Sequence, residues 1–592
     1  PPSQPSGSPR PVEAIVALAL PGFDCDQENT MIIGLDVGGT HTDVVLLGDE
    51  GVVAEIKVPT DASDLFQTVL TGLETITAGI DPALISRAVL STTLTTNAII
   101  QGDLAPVGMI VAAGPGVDPE FFRIGENYHA VSGAIDHRGR EIDPLDGAEI
   151  KKIAKRFKKK GIRHVGVVCK FSVRNTDHEL QINEILSPYV DKVFMGHQCS
   201  GNLNFPRRIA TSYLNASVYP IHKKFFEAVR RSLEKKGLTI PIHILKADGG
   251  TMSFEASIDF PAQTILSGPA ASVMGAIAFA PVEQESIVLD IGGTTTDMAV
   301  LINRVPVLEP LGIHLGGYKT LLRSLKTLSI GVGGDSHVRL DGGSLKIGPE
   351  RLGPAMAHGG PAPTPTDALI VLGLLQRGDP AKAAKGFEAI AGPLGMSVAA
   401  AAQHVFDETC RKILDAVGEM LAQLNSQPVY TVHELYEGRA IQPEIMLVIG
   451  GPAPIFAKRL EALSSYRVGV VPRWKVANAI GAALARTTCE VTLFADTEQG
   501  IVAAPEENYR ERAGRDFSQE DALETALMLL RQKALRAGSN VDDLATEVVE
   551  NLRFNMVRGF YTSGRNIRIK VQVKPGLINE YDTVAGILAT ED

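Results

Sequence analysis

From Met31 onward, short runs of apolar and β-branched residues alternate with longer stretches whose apolar positions recur every three or four residues. MIIGLDV, DVVLLG and VVAEIKV read as strands, and the following DLFQTVLTGLETITAGI carries one apolar face at the helical period. RAVLSTT, VGMIVAA, HVGVVC, IPIHILK, SIVLDIG, MAVLIN, IMLVIGG and YRVGVVP are further buried-strand runs, most of them followed by Gly or a small polar residue. Strands alternating with helices predict an α/β fold built on mainly parallel sheets. After Cys489 the pattern changes to a small α+β appendage: VTLFADTEQG, a helix over DALETALMLLRQKALRAG, a second helix around VDDLATEVVENL, and strands in NIRIKVQVKPG. Between Gly331 and Pro365, Gly and Pro are too frequent for long regular structure, so this stretch is expected to be a long functional loop.

One octapeptide occurs twice. Asp36-Val37-Gly38-Gly39-Thr40-His41-Thr42-Asp43 returns as Asp290-Ile291-Gly292-Gly293-Thr294-Thr295-Thr296-Asp297, each copy flanked by apolar strands. A repeated strand, Gly-rich turn and strand predicts two related units, 31–245 and 246–490, facing one another across a cleft, with 491–592 as a separate appendage. The 592 residues suffice for about three or four domains. Residues 1–30 are rich in Pro, Ser and Gly and are expected to be a disordered leader or added extension.

Composition narrows the function classes. Hydrophobic residues make up 44% and charged residues 21%, as in folded globular proteins, and the net charge of −11 disfavours extended contact with nucleic acid or anionic membrane. No apolar run approaches the roughly 20 residues needed to span a bilayer. Lys151 to Lys160 holds seven basic residues in ten, but without interleaved aromatics it reads as the solvated face of a helix. Five cysteines with no CxxC spacing exclude a disulfide framework and fit a reducing, cytoplasmic compartment.

The repeat carries the chemistry. A Gly-Gly-Thr turn between strands aims successive backbone N–H groups at one point and lets phosphate oxygens come close, so Gly38, Gly39, Gly292 and Gly293 form two anion cradles. Thr40, His41, Thr294 and Thr295 add side-chain donors. Asp36 and Asp290, at strand ends, are placed to hold hydrated Mg²⁺ or to orient a water. Two such turns on opposite halves grip a polyphosphate from both sides. A third Gly pair, Gly450-Gly451-Pro452 after the strand IMLVIGG, then reads as the loop against which adenosine lies. The small-residue stretch Val476 to Leu484 allows close helix packing beneath the cleft.

In this order, these segments resemble the actin, sugar kinase and Hsp70 superfamily of ATPases. Within it, GLDVGGTHTDVVLL, STTLTTNAIIQ, ILKADGGTM, TILSGPAASVMGA, LDIGGTTTDMAVL, SIGVGGDS, PTPTDALIVLG and FADTEQG resemble the A subunit of the ATP-dependent hydantoinase/oxoprolinase family, related to an acetone carboxylase subunit. The resemblance implies two actin-like (ribonuclease H-like) domains around a nucleotide cleft. It also implies ATP-dependent phosphorylation of a carbonyl or amide oxygen of a small substrate (a hydantoin, 5-oxoproline, lactam or ketone) for ring-opening hydrolysis or carboxylation. ATP and Mg²⁺ are the implied cofactors, and a B-type subunit the implied partner in a hetero-oligomer. Asp36 and Asp290 match the aspartates of the phosphate loops, one orienting or deprotonating the attacking group and the other holding metal-bound water, with Thr295 beside them. Substrate-contact candidates are Thr93 and Asn97 after a strand, Asp248 in KADGG, and Asp335, Ser336 and His358 in the long loop. Where the family often has a Cys-Tyr-Gly segment, this chain has Ala357 to Ala362, and its tail after about residue 500 looks shorter than usual. Two other functions fit the same turns: a small-molecule kinase, and an ATP-driven conformational switch acting on a partner protein.

Overall fold

A computed structural model describes residues 31–39, 41–49, 51–61, 63–235, 237–281, 284–309, 311–426, 440–514, 516–540 and 544–578. The expected leader, residues 1–30, and Thr40 of the first turn lie outside the described residues. Strands β1 (Met31–Val37), β2 (His41–Gly48) and β3 (Gly51–Pro59) follow one another as hairpins, and their separations of only a few residues permit nothing but antiparallel pairing. Helix α1 (Leu65–Ile76) then covers the sheet, Asp64 accepting from the Gln67 N–H as its N-cap. β4 (Ile85–Thr92) lies parallel to β1 and leads into α2 (Leu94–Gln101).

The chain leaves this sheet to build another. β5 (Val107–Ala112), β6 (Asn127–Ala130), β7 (His164–Cys169) and β8 (Lys192–Met195) form a parallel sheet in the order β8-β7-β5-β6. Helix α3 (Gly147–Lys159) packs on it through Ile150, Ile153, Ala154 and Phe157, leaving all seven basic residues of 151–160 exposed, as the solvated-face reading expects. The long helix α4 (Phe205–Lys235) returns to the first sheet, where β9 (Ile242–Leu245) pairs parallel with β4 and β10 (Thr251–Ser253) closes the edge.

After α5 (Ser267–Ile277) the topology repeats. β11 (Glu285–Ile291) and β12 (Thr296–Ile302) form a hairpin and β13 (Thr327–Ile330) pairs antiparallel with β12. Helix α6 (Val398–Ser426) follows, and β14 (Ile445–Ile449) lies parallel to β11. Then come α7 (Ala453–Leu463), β15 (Arg467–Val470), which pairs parallel with β14, and α8 (Ala477–Leu484). The repeat extends to register: Asp36 faces Asp43 and Val37 faces Thr42, as Asp290 faces Asp297 and Ile291 faces Thr296. Both sheets are mixed, whereas the apolar runs predicted mainly parallel sheets; the all-parallel sheet is the one formed by residues 107–195.

Helices α5 and α8 lie between the two halves, and one apolar core runs through them from Ile32, Val45 and Val89 to Val288, Ala299 and Leu447. They can meet because they are made of small residues. A Cβ on Gly275 would lie 2.2 Å from the Ala477 carbonyl oxygen, and one on Gly481 would lie 2.2 Å from the Gly275 nitrogen.

β16 (Glu490–Asp496), β17 (Ile501–Ala504) and β18 (Tyr509–Arg512) begin the C-terminal unit, α9 (Gln519–Arg536) packs on it, and β19 (Thr546–Arg558) and β20 (Tyr561–Val573) complete a sheet ordered β18-β17-β16-β20-β19. Over 546–552, where the pattern predicted a second helix, the chain is strand. Thr546 and Val548 are β-branched, and the segment pairs with β20 along its length, a long-range bond supply that local periodicity does not register. The Gly/Pro-rich stretch holds one short hairpin, Val338–Asp341 with Ser344–Ile347, turned by Gly342 and Gly343 at positive φ. Among the described residues no single helix is long and apolar enough to cross a membrane.

Replacing Gly481 by Val forces the α5–α8 crossing apart. The expected loss is about 1–3 kcal/mol, measured as a lower urea midpoint; an unchanged midpoint would show that the two helices do not need this contact.

Candidate functional site

The two hairpins bring four carboxylates together. Residues opposite one another on an antiparallel pair project to the same face, so Asp36 lies beside Asp43 and Asp290 beside Asp297. Each turn closes on itself, Gly38 N–H donating to the His41 carbonyl at 3.1 Å and Gly292 N–H to the Thr295 carbonyl at 2.9 Å. Gly39 and Thr294 are exposed at the turn tips, and Thr295 is half-buried.

One side chain reaches the strand-end aspartates of both halves. Asn478, on the first turn of α8, donates through Nδ2 to Asp36 Oδ2 at 3.3 Å and to Asp290 Oδ2 at 3.2 Å. Ser272, on α5, donates to Asp290 Oδ2 at 2.6 Å. The sequence reading assigned this stretch of α8 to close packing and passed over both residues. The available signal was that Asn478 is the one polar side chain in ANAIGAAL, a segment otherwise made for close approach.

Burial without enough counter-charge sets the electrostatics. Asp36 is pushed up to about 7, chiefly by burial and further by Asp43 and Asp290, against the hydrogen bonds of Ser91 and Asn478. Asp297 is likewise pushed to about 7 by burial and by Asp290. Burial also raises Asp43, although Lys57 bridges it at 2.6 Å.

The long loop packs onto the second turn. Gly334 N–H donates to the Gly292 carbonyl at 2.9 Å and Asp335 N–H to the Gly293 carbonyl at 2.6 Å. A Cβ on Gly293 would lie 3.0 Å from Asp335 Oδ2, which Arg351 holds at 3.1 Å. Burial raises Asp335 against the pull of Arg351. His41, from the first turn, is lowered first by burial and then by Lys57 and Arg351, so the loop's charges reach across the cleft. His358 stands exposed at the rim, close enough to act on Asp335.

Gly450, at φ 98°, brings the third loop in: a Cβ there would lie 2.3 Å from the Ile291 carbonyl oxygen and 2.7 Å from Asp290 Oδ1. Gly451 is exposed with open space around it, and Pro452 caps α7. On the other side, Thr93 donates to the Val37 carbonyl at 3.4 Å as the N-cap of α2, and exposed Asn97 reaches it at 3.4 Å. Thr96 and Thr92 tie this segment to Leu266 and Ser267 at the start of α5.

Two of the candidate residues are buried. Ser336, 1% exposed, accepts the Gly333 N–H at 2.8 Å and so closes its own turn. Asp248 is 3% exposed and bound to Thr488 at 2.8 Å and Gly250 N–H at 3.0 Å, lining a separate cavity rather than the cleft of the turns. It sits in the turn between β9 and β10.

The hydantoinase/oxoprolinase N-terminal region model matches residues 32–190 and the hydantoinase/oxoprolinase model matches residues 208–491. The chain belongs to the hydantoinase/oxoprolinase family. The caprolactamase subunit alpha of Pseudomonas jessenii is 26% identical over 491 residues, covering 74% of this chain and 68% of the relative. The nucleotide-free structure of acetone carboxylase superposes with a TM-score of 0.68 at 18% identity, covering 93% of this chain and 88% of that one. The structure of ATP-dependent caprolactamase from Pseudomonas jessenii does so with a TM-score of 0.67 at 20% identity, with the same coverage of both chains. These likenesses establish the fold, two duplicated actin-like halves with their turns toward one cleft.

The residues present fit the cofactors that the family fold implies. The raised carboxyls of Asp36 and Asp297 gain from a divalent cation. Asp36 and Asp290 offer the one or two carboxylates that, with water and phosphate oxygens, suit Mg²⁺. Gly39 and Gly451 have no atom within 4 Å of where a Cβ would stand, leaving the backbone open to a ligand.

Unfolded, Asp36 ionises near pH 4, whereas its buried native carboxyl holds the proton to about pH 7, so wild type loses stability through that window. Asp36→Asn escapes the loss, and its stability relative to wild type is expected to increase between pH 5 and pH 8 by on the order of a few kcal/mol. Urea denaturation at the two pH values checks this; a pH-independent difference would rule out the burial argument.

Proposed function

We propose that this chain is an ATP-dependent enzyme subunit that phosphorylates the carbonyl or amide oxygen of a small substrate, a hydantoin, 5-oxoproline, lactam or ketone, so that ring opening or carboxylation can follow. The observation that supports it best is the bridge of Asn478 to Asp36 and Asp290, which fixes one aspartate from each half at the mouth of its Gly turn. In this reading 31–245 and 246–490 are the two gripping lobes and 491–592 the appended unit.

ATP with Mg²⁺ supplies the phosphoryl group and neutralises its charge; Asp36 and Asp290 would hold the cation. The chain's own residues position the reactants, which is most of what phosphoryl transfer asks of a protein. The Gly38-Gly39 turn with His41 takes the phosphates from one side and the Gly292-Gly293-Thr294 turn from the other, while Gly450, Gly451 and Pro452 take the adenosine side. Asp290, held by Ser272 and Asn478, orients the attacking oxygen, with Thr295 next to it. Asp36 retains a proton up to about pH 7 and loses it as a cation arrives. Arg351 and Asp335, with Thr93, Asn97 and His358 at the rim, are the substrate-facing groups. The substrate oxygen forms the new P–O bond as the bond to the leaving ADP breaks, and the neighbouring N–H or Cα–H proton passes to Asp290, turning an inert carbonyl into an imidate or enol phosphate. The second step belongs to a B-type subunit in a hetero-oligomer, in keeping with the relative's name as a subunit alpha. The four described cysteines are unpaired, in keeping with the reducing cytoplasm.

Phosphate release from Mg-ATP across a panel of hydantoins, lactams, 5-oxoproline and ketones, with and without bicarbonate, tests the reading. One compound is expected to stimulate turnover, and Asp36→Asn or Asp290→Asn to lower it by at least about 100-fold. Unchanged turnover in both variants overturns the site. A stable phosphorylated product would instead mark a kinase, and stimulation only by a partner protein a conformational switch.

A further inference from the structure

Around the second Gly turn, sheet order sends two loops to opposite edges. The strands run β13-β12-β11-β14, with β13 paired to the turn end of β12. The Gly450 loop follows β14 and the long Gly/Pro-rich loop follows β13, so they leave the sheet on either side of the Gly292-Gly293 hairpin. The long loop then folds over the hairpin tip, its Gly334 and Asp335 N–H groups bound to the Gly292 and Gly293 carbonyls. With adenosine on the Gly450 side, as proposed above, the end of the phosphate chain comes to the long loop.

Arg351 is the cation this loop brings there. His337 N–H donates to the Glu350 carbonyl at 2.8 Å and Gly348 N–H to the His337 carbonyl at 3.0 Å, which pins the segment before Arg351 beside Ser336 and Asp335. Arg339 adds an ion pair to Glu350 at 2.9 Å. Gly331 permits the close approach, since a Cβ on it would lie 2.5 Å from the Cβ of Pro349. So placed, Arg351 donates through Nη2 to Asp335 Oδ2 at 3.1 Å, and the same oxygen lies 3.0 Å from where a Cβ on Gly293 would stand. After burial and Lys57, Arg351 is the next cause that lowers the His41 imidazole of the opposite turn, so its charge reaches both cradles.

Most of its bonding capacity is unspent. The bond to Asp335 is the only hydrogen bond that the Arg351 side chain makes among the described residues, and the side chain is 28% exposed. A guanidinium carries five donors in a fork that matches pairs of phosphate oxygens. Lys57, the other cation acting on His41, is held by Asp43 at 2.6 Å and also donates to the Lys475 carbonyl at 3.3 Å.

We propose that Arg351 is a catalytic residue of the phosphoryl transfer, its guanidinium binding the γ-phosphoryl oxygens, with Asp335 the resting counter-ion that those oxygens replace. As the bond from phosphorus to the ADP oxygen breaks and the bond to the substrate oxygen forms, negative charge lies on the three peripheral oxygens, and a fork donating to two of them neutralises it with no proton moved. This role rests on the phosphorylation reading and makes Arg351 the residue that tells ATP from ADP.

Isothermal titration of the full chain with Mg²⁺ and either the β,γ-imido analogue of ATP or ADP tests this without turnover. Arg351→Gln is expected to weaken the analogue by at least about tenfold and ADP by less than about twofold, at a wild-type urea midpoint. Arg351→Lys, which keeps the charge and loses the fork, is expected to fall between Arg351→Gln and wild type for the analogue. Asp335→Asn is expected to tighten the analogue by about two- to fivefold and to leave ADP unchanged. Equal weakening of both nucleotides by Arg351→Gln, an unchanged ratio of their affinities, or an analogue weakened by Asp335→Asn would each overturn the proposal. Wild type that binds both nucleotides keeps the ATP reading whatever the variants do; wild type that binds neither overturns that reading and this role with it.

Discussion

Everything at the cleft depends on how closely α5 and α8 can approach. With Gly275 and Gly481 at their crossing and Ala along their faces, the two helix backbones stand where a single methyl group would not fit. That proximity lets one apolar core join both sheets. It also fixes the distance between the two Gly turns, because α8 places Asn478 at its first turn and α5 places Ser272 opposite. Core packing and site geometry are therefore one constraint: loosening the crossing moves Asp36 relative to Asp290.

The carboxylate cluster is the stored cost of this arrangement. Identical hairpin registers put Asp36 with Asp43 and Asp290 with Asp297, and the halves then press these pairs together away from water. Two of the four are pushed to about 7. A site that is electrostatically incomplete alone becomes balanced with a cation, which is how a fold can favour its loaded state without any change of side chains.

Much of the fold was legible in the residues. The repeated DhGGTxTD (h, an apolar residue) encodes its own hairpin: apolar strands on both sides, Gly at the turn, and a separation too short for anything but antiparallel return. Helix α3, with its apolar stripe under seven basic residues, was equally plain. What was misread involved partners far along the chain. The segment 546–552 has an acceptable helical period, yet β20 offers it a full row of backbone bonds.

The sequence by itself determined the family, the duplicated turns and the residue types gathered there, because strand period, turn glycines and motif spacing are local properties. Only the tertiary structure decided which polar side chains face each other. Asn478 lies far along the chain from Asp36 and looked like one more small residue in a packing helix; its hydrogen bonds to both aspartates exist because two sheets and two helices close around it. The raised carboxylates have the same origin, since desolvation is set by what folding brings near, not by what is adjacent in the chain.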